Sequence, residues 1–321
     1  MLKKVSIRKI LISLSALFTL FLIYLIPTKN EETLNVNYEL EYVDQSVEKS
    51  TIFLLDAYNM LGRSEVAVTS SKNDIETRAK ELLNVLIQGG SSEDKLPNGF
   101  KALLPSETKI LSLKYDAGII KVNFSNEILE IDETMEEKMI EAIVYTLTSI
   151  DGVEQIIIYV DGDILTKLPK TKINLPSTLD RSFGINKEYD ITSMKDINMV
   201  TVYYINKYNE NYYYVPVSRF VNDDRDKIKI IIDSLSSSSI YNNNLMSFLN
   251  YNAKLLSATQ DLDTMRLEFN SYIFSDYDER KILEEVIYTI SLSVEDNYDI
   301  NELIFTVNNE EIYKSVFKSI E

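Results

Sequence analysis

Residues 137–165 read EKMIEAIVYTLTSIDGVEQIIIYVDGDIL, and the plan returns at residues 280–312 as RKILEEVIYTISLSVEDNYDINELIFTVNNEEI. Each stretch opens with apolar residues at helical spacing, breaks at a short polar turn and runs on into a buried-type strand. Val144-Tyr145-Thr146-Leu147 matches Ile287-Tyr288-Thr289-Ile290, and Val160 matches Val307. Upstream, Lys109-Ile110-Leu111-Ser112 matches Lys254-Leu255-Leu256-Ser257, and Val122-Asn123-Phe124 matches Leu267-Glu268-Phe269. A chain in which one folding unit occurs twice is two instances of that unit plus the segments that connect them.

The units fall at residues 51–166 and 200–321, joined by a connector over 167–199 that is poor in glycine and serine and therefore ordered. In the first unit, residues 51–55 and 65–69 have strand character. Asn73 and Glu76 then make a capping box for a helix carrying Ile75, Ala79, Leu82, Leu83 and Leu86, stopped by Gly89-Gly90. A hairpin follows over 109–115 and 119–124, turning at Asp116-Ala117-Gly118. Thr134 and Glu137 open a second helix, whose buried stripe is Met135, Met139, Ala142, Ile143 and Leu147. Gly152 ends it, and residues 155–160 form the last strand. In the second unit the strands are 200–205 and 212–217, the first helix is 227–235, and Asp276 with Glu279 caps the second helix. The order strand-strand-helix-strand-strand-helix-strand predicts an α+β fold, a sheet with two helices on one face, in two tandem copies. All eight glycines lie at or before Gly184, so the second copy has to turn on Asp and Asn.

At the N-terminus, Lys3, Lys4, Arg8 and Lys9 precede an uncharged apolar run over residues 10–26, closed by Pro27. This predicts a transmembrane helix within 1–27, with the N-terminus in the cytoplasm and the bulk of the chain on the far side of the cytoplasmic membrane. Leu25-Ile26-Pro27-Thr28 offers no small-residue cleavage site, which favours an uncleaved anchor over a signal peptide. Residues 28–50 are polar and acidic and are expected to form a stalk.

The chain carries a net charge of −17, and the basic N-terminus makes the remainder more negative still. Such a surface repels phosphate backbones and anionic lipid heads, so neither nucleic acid nor peripheral membrane docking is expected. There is no cysteine and no histidine. That excludes disulfides, thiol nucleophiles and thiolate metal sites, and removes the commonest general base.

Several of the residues above give the chain a family likeness. Ile143-Val144-Tyr145-Thr146-Leu147, Asp151-Gly152-Val153, the strand at 156–160 and Asp161-Gly162 resemble the GerMN domain of bacterial sporulation and germination proteins. So do the hairpin with Leu104-Pro105 before it, and Arg181-Ser182-Phe183-Gly184-Ile185-Asn186 between the copies. The resemblance is strong in the first copy and weaker in the second. It implies an envelope protein of a spore-forming bacterium, with a domain similar in arrangement to ring-building modules of the channel between mother cell and forespore. A scaffold role in sporulation or germination follows, with other envelope proteins or further copies of the chain as partners. Family members are typically lipoproteins, whereas this chain lacks the lipidation cysteine and substitutes a helix. A protein that binds or modifies the cell wall is the alternative, with peptidoglycan as partner.

No catalytic, cofactor or metal residues are assigned. Asp161 with Asp163 could act as a carboxylate pair on glycosidic bonds. Both sit in a strand-end turn, however, and their counterparts Asn308 and Glu310 do not keep the pair. Asp223-Asp224-Arg225-Asp226 and Asp276-Tyr277-Asp278-Glu279 have calcium-loop composition, but they stand at expected helix starts and lack the loop glycine. The candidate site is instead a partner surface on the tyrosine-rich hairpin: Tyr203, Tyr204, Tyr212, Tyr213 and Tyr214, with Tyr208 nearby. Adjacent strand residues point to opposite faces, so some of these rings are expected in solvent, where tyrosine suits protein contacts.

Overall fold

A computed structural model describes residues 17–18, 48–237 and 244–317. The expected stalk up to residue 47 and, apart from Leu17 and Phe18, the expected membrane anchor lie outside them. The last stalk residues are part of the fold instead, with Glu48 paired to Arg78 at 3.1 Å and Lys49 and Ser50 opening the first strand. Among the described residues no helix is long and apolar enough to cross a membrane. The strands and helices named below fall in one compact unit, Val47–Glu321.

The first copy runs β1 (Lys49–Leu55), β2 (Leu61–Ala67), α1 (Ile75–Leu86), β3 (Ile110–Asp116), β4 (Ile119–Phe124), α2 (Glu136–Leu147), β5 (Gln155–Val160) and a two-residue β6 (Asp163–Ile164). Within the connector lies β7 (Glu188–Asp190). The second copy runs β8 (Asn198–Tyr208), β9 (Asn211–Val221), α3 (Lys227–Ser236), β10 (Leu255–Asp261), β11 (Thr264–Phe269), α4 (Glu284–Asn297), β12 (Glu302–Val307) and β13 (Glu310–Val316). The α+β class matches the sequence reading, and each copy contains the expected strand-strand-helix-strand-strand-helix-strand order, with β6, β7 and β13 as strands it did not include.

The sheets do not match that reading. Each copy was expected to place its strands in one sheet with helices on one face. Instead β3-β4-β5-β6 and β10-β11-β12-β13 form separate four-stranded sheets, while the first hairpins of both copies enter a common five-stranded sheet. There β9 pairs along its length with β8, meets β2 at Arg63↔Tyr214 and runs parallel to β7 over Arg219↔Glu188 to Val221↔Asp190. The helices touch both kinds of sheet: α1 packs on β1 and β3, α2 on β1 and β5, and α3 on β8 and β10. Composition explains the arrangement. In β1, Ile52, Phe53 and Leu54 are all fully buried, as a strand covered on both faces requires. In β3 and β10 polar residues recur, and both strands keep an exposed face.

Helix starts also differ from expectation. The α1 cap is Asp74, whose carboxylate accepts the Thr77 N–H at 3.1 Å, so the Asn73 box is not formed. Glu76 turns away to accept the Tyr115 N–H at 3.0 Å. No side chain caps α2, because a 3-10 turn over Glu133–Met135 feeds directly into it, and the Thr134–Glu137 box is absent. Asp276 lies well before α4 and accepts the N–H groups of Asp278 and Glu279, both at 2.9 Å, in a turn of its own. The second copy does turn on Asn209, Asn308 and Asn309, all at positive φ, but also on Leu262 (φ 52°) and Arg280 (φ 51°).

The repeat itself has a different register in the second helix. Thr146 Oγ1 accepts the buried Phe53 N–H of β1 at 3.0 Å, and Ser293 Oγ accepts the Tyr203 N–H of β8 at 2.8 Å. Thr146 is therefore equivalent to Ser293, with the same spacing as Val160 to Val307, and the Tyr145-Thr146 to Tyr288-Thr289 match is one helical turn out. Tyr145 is fully buried and Tyr288 is 44% exposed, while the Thr289 hydroxyl bonds only carbonyls of its own helix. Thr146→Val leaves the Phe53 amide unpaired and should cost about 1–3 kcal/mol. Thr289→Val should cost less than about 1 kcal/mol. Urea unfolding of both variants checks the assignment.

Candidate functional site: the junction between the copies

The tyrosine hairpin is a contact surface, but much of what it contacts is the first copy. Tyr203, Tyr204 and Tyr213 are buried, and of the rings of which some are expected in solvent it is Tyr212 that is exposed. Alternation still sends Tyr203 and Tyr204 to opposite faces; both faces are covered. Tyr204 belongs to the apolar core of the second copy. Tyr203 lines a cleft it shares with Thr51, Phe53 and Arg63 of the first copy, and donates its hydroxyl to Asp296 Oδ2 of α4 at 3.0 Å. The Tyr213 hydroxyl reaches the buried Asp56 at 2.8 Å, and its ring meets Phe100 edge-on at 4.9 Å between centroids. Tyr208 covers Gly99 so closely that a Cβ there would stand 2.5 Å from the ring. Tyr214 is half-buried with its ring 5.8 Å from Tyr288, and Tyr212 is 46% exposed beside Phe248.

At the centre is Arg181. Its Nε donates to Thr148 Oγ1 at 3.1 Å and its Nη2 to Ser149 Oγ at 2.8 Å, both just past the end of α2. Its Nη1 pairs with Asp296, near the end of α4, whose side chain is only 4% exposed. Since Thr146 corresponds to Ser293, Ser149 corresponds to Asp296, and one guanidinium bridges equivalent positions of the two copies. The Arg181 group also lies 4.9 Å from the centre of the Tyr145 ring, whose hydroxyl donates to the Arg181 carbonyl at 3.2 Å. Burial pushes the Tyr145 and Tyr203 hydroxyls well up, and the Asp296 charge adds to both. Burial is the largest influence on Arg181 and works against its charge, but Asp296 acting together with Tyr203, Tyr145 and Glu295 outweighs it and holds the guanidinium above its usual range. Beside this network is a polar cleft of about 320 Å³, lined by residues 148–154, Arg63, Arg181 and Asp296 among others.

Asn186 makes the second tie. Its Oδ1 accepts the Leu61 N–H at 2.9 Å; its Nδ2 donates to the carbonyls of Leu61 at 2.9 Å and Pro216 at 2.8 Å. It therefore joins β2 to β9 where their own pairing is a single residue pair. The residue is at φ 46°, a region asparagine tolerates better than most side chains. Its backbone N–H donates to Glu141 Oε2 at 2.9 Å.

Glu141 sits in the apolar stripe of α2, 3% exposed. Lys187 Nζ lies 3.8 Å from it and 2.7 Å from Glu137. Burial raises the Glu141 carboxyl from 4.5 to about 7, outweighing the pull of Lys138 and Lys187. Because the folded value lies above the unfolded one, this group favours folding most at low pH. That contribution is lost as pH rises from about 4.5 through about 7. Its full size is on the order of 3 kcal/mol. The difference in melting temperature between the wild type and Glu141→Gln should change across this window, in favour of Gln at pH 8. A difference that does not change with pH overturns the assignment.

The other acidic candidates lie elsewhere. Asp161 and Asp163 are exposed at the β5–β6 turn. Asp223 pairs with Arg225 at 2.8 Å, and that hydrogen bond lowers its carboxyl pKa. Among the described residues no group of three or more acidic side chains is placed to hold a metal ion. The segment from Arg181 to Asn186 belongs to the family likeness but carries no expected role, and neither Glu141 nor Asp296 is among the candidates the sequence offers. A glutamate inside a run of apolar helix residues, Met139-Ile140-Glu141-Ala142-Ile143, was the available signal.

A family model described as Germane, sporulation and spore germination, matches residues 51–166 and 201–313. The spore germination protein GerM of Bacillus subtilis (strain 168) is 30% identical over 251 residues, covering 76% of this chain and 68% of that protein. The solved tandem GerMN domains of the sporulation protein GerM from Bacillus subtilis superpose with a TM-score of 0.75 at 26% identity. They cover 82% of this chain and 92% of that one.

Proposed function

Because the chain belongs to the Germane family of sporulation and spore germination proteins, we propose that it is a non-enzymatic scaffold, assembling sporulation or germination complexes through protein contacts. It is held at the cytoplasmic membrane by its N-terminal segment, with the two copies on the outer side. The observation that carries this reading is the junction. The common five-stranded sheet, the Arg181–Asp296 pair and the Asn186 bonds tie two copies of one module into a single body. Such a body presents contact surfaces at fixed spacing, which is what an assembly module needs and what two loosely tethered domains lack. The partners are other envelope proteins.

The test is made in a spore-forming host. Removing the chain should lower the yield of heat-resistant, germination-competent spores. Crosslinking during sporulation should recover envelope proteins on it. Retention on purified peptidoglycan without any protein crosslinks would replace this reading with a wall-binding one.

A further inference from the structure

Each four-stranded sheet ends on the first strand of its hairpin, β3 in one copy and β10 in the other. The β3 edge is covered: the N–H of Tyr115 is taken by Glu76 at 3.0 Å, and Lys114 lies 3.8 Å from the same carboxylate. Gln260 is the equivalent of Tyr115, each standing one residue before the pair that closes its turn, Asp116↔Ile119 and Asp261↔Thr264. Its N–H therefore faces outward too, as does that of Ala258 two residues earlier. In α3 the position matching Glu76, two after the capping Asp226, is Ile228, which offers no acceptor. Among the described residues neither amide finds a partner.

Edge strands are ordinarily guarded by charge, proline or brevity. The far edge of the same sheet follows that rule, since β13 carries Lys314 paired with Glu302 at 2.7 Å and Glu311 facing Arg266 at 3.9 Å. In β10 the run Leu255-Leu256-Ser257-Ala258-Thr259-Gln260 carries no charge, and the strand's one charged residue is its last, Asp261. Two leucines stand out at its ends: Leu256, at a bulge in the ladder and 62% exposed, and Leu262, 89% exposed and at φ 52°. A leucine held in left-handed backbone and pointed into water is costly in both respects.

The two leucines are related by the strand between them. If β10 is laid antiparallel on itself about Thr259, Ala258 meets Gln260 of the other strand, so the outward amides and carbonyls pair in both directions. Leu256 then meets Leu262, and Asp261 meets Ser257 rather than a second carboxylate. The geometry points to a second copy of this chain as the occupant: β10 pairs antiparallel with β10 about Thr259, joining two four-stranded sheets into one. This interface stands whether or not the sporulation reading holds.

The absence of cysteine makes the test direct. Facing Thr259 residues form the non-hydrogen-bonded pair, with Cα atoms about 4.5 Å apart, inside disulfide range. Full-length protein carrying Thr259→Cys is oxidised mildly in its own membranes, beside Lys114→Cys, the equivalent position on the covered edge. Thr259→Cys should yield at least about tenfold more homodimer, confirmed by mass. Adding Leu262→Gly, which removes the apolar contact and relieves the backbone, should return the yield to the Lys114→Cys level. Equal yields at 259 and 114, a dimer indifferent to Leu262→Gly, or Thr259→Cys captured by a different protein would each overturn the proposal.

Discussion

Arg181→Met should lower the unfolding midpoint by about 10 °C, the equivalent of roughly 3–5 kcal/mol in a body of this size. The loss comes less from the ion pair than from what is left behind. Asp296 is 4% exposed, and without the guanidinium it keeps only the Tyr203 hydroxyl among its hydrogen bonds described above. A charge taken from water and then left with a neutral donor is among the costliest states a protein can hold. Pairing Arg181→Met with Asp296→Leu should recover much of the stability, because an apolar pair carries no desolvation penalty. Calorimetry on the single and double variants reads this out. If the single variant melts within about 2 °C of wild type, the bridge contributes little to the junction.

Asn186→Ala should be comparably damaging, at about 3–5 kcal/mol, for a different reason. It strands the Leu61 N–H and the carbonyls of Leu61 and Pro216, which Asn186 serves at 2.8–2.9 Å. It also places an ordinary side chain at φ 46°. Asn186→Gly separates the two effects: it restores backbone freedom without the hydrogen bonds and should be about 1 kcal/mol less destabilising than alanine. Identical losses for alanine and glycine would mean that the backbone at 186 is unstrained.

Much of the fold was legible because local signals agree with the final state. Helices α1, α2 and α3 sit where expected, whereas α4 begins well after its expected Asp276 cap; the β3–β4 hairpin turns at Asp116-Ala117-Gly118, as its residues predict. The sheet partition was not legible as an alternation, since β1 and β8 bury consecutive residues. A consecutive apolar run says that both faces are covered without saying by what. The junction was hidden for a related reason. Arg181, Asn186 and Tyr213 act through partners more than 25 residues away in the chain, and short-range patterning carries no information about such pairs. The helix register failed through a coincidence of letters: Tyr-Thr occurs twice, but only Ser293 stands where Thr146 stands.

The shared sheet sets an order on how the protein can come into being. Asp56 meets Tyr213 across a separation of 157 residues, and the Leu61 amide waits for Asn186 across 125. During synthesis the first copy is complete in length long before its β2 edge has anything to pair with. It therefore passes through a stage with an unsatisfied strand edge and an apolar face open to solvent, the kind of species that aggregates or needs a chaperone. A nascent chain halted near residue 190 should bind such helpers, and one completed past residue 221 should release them.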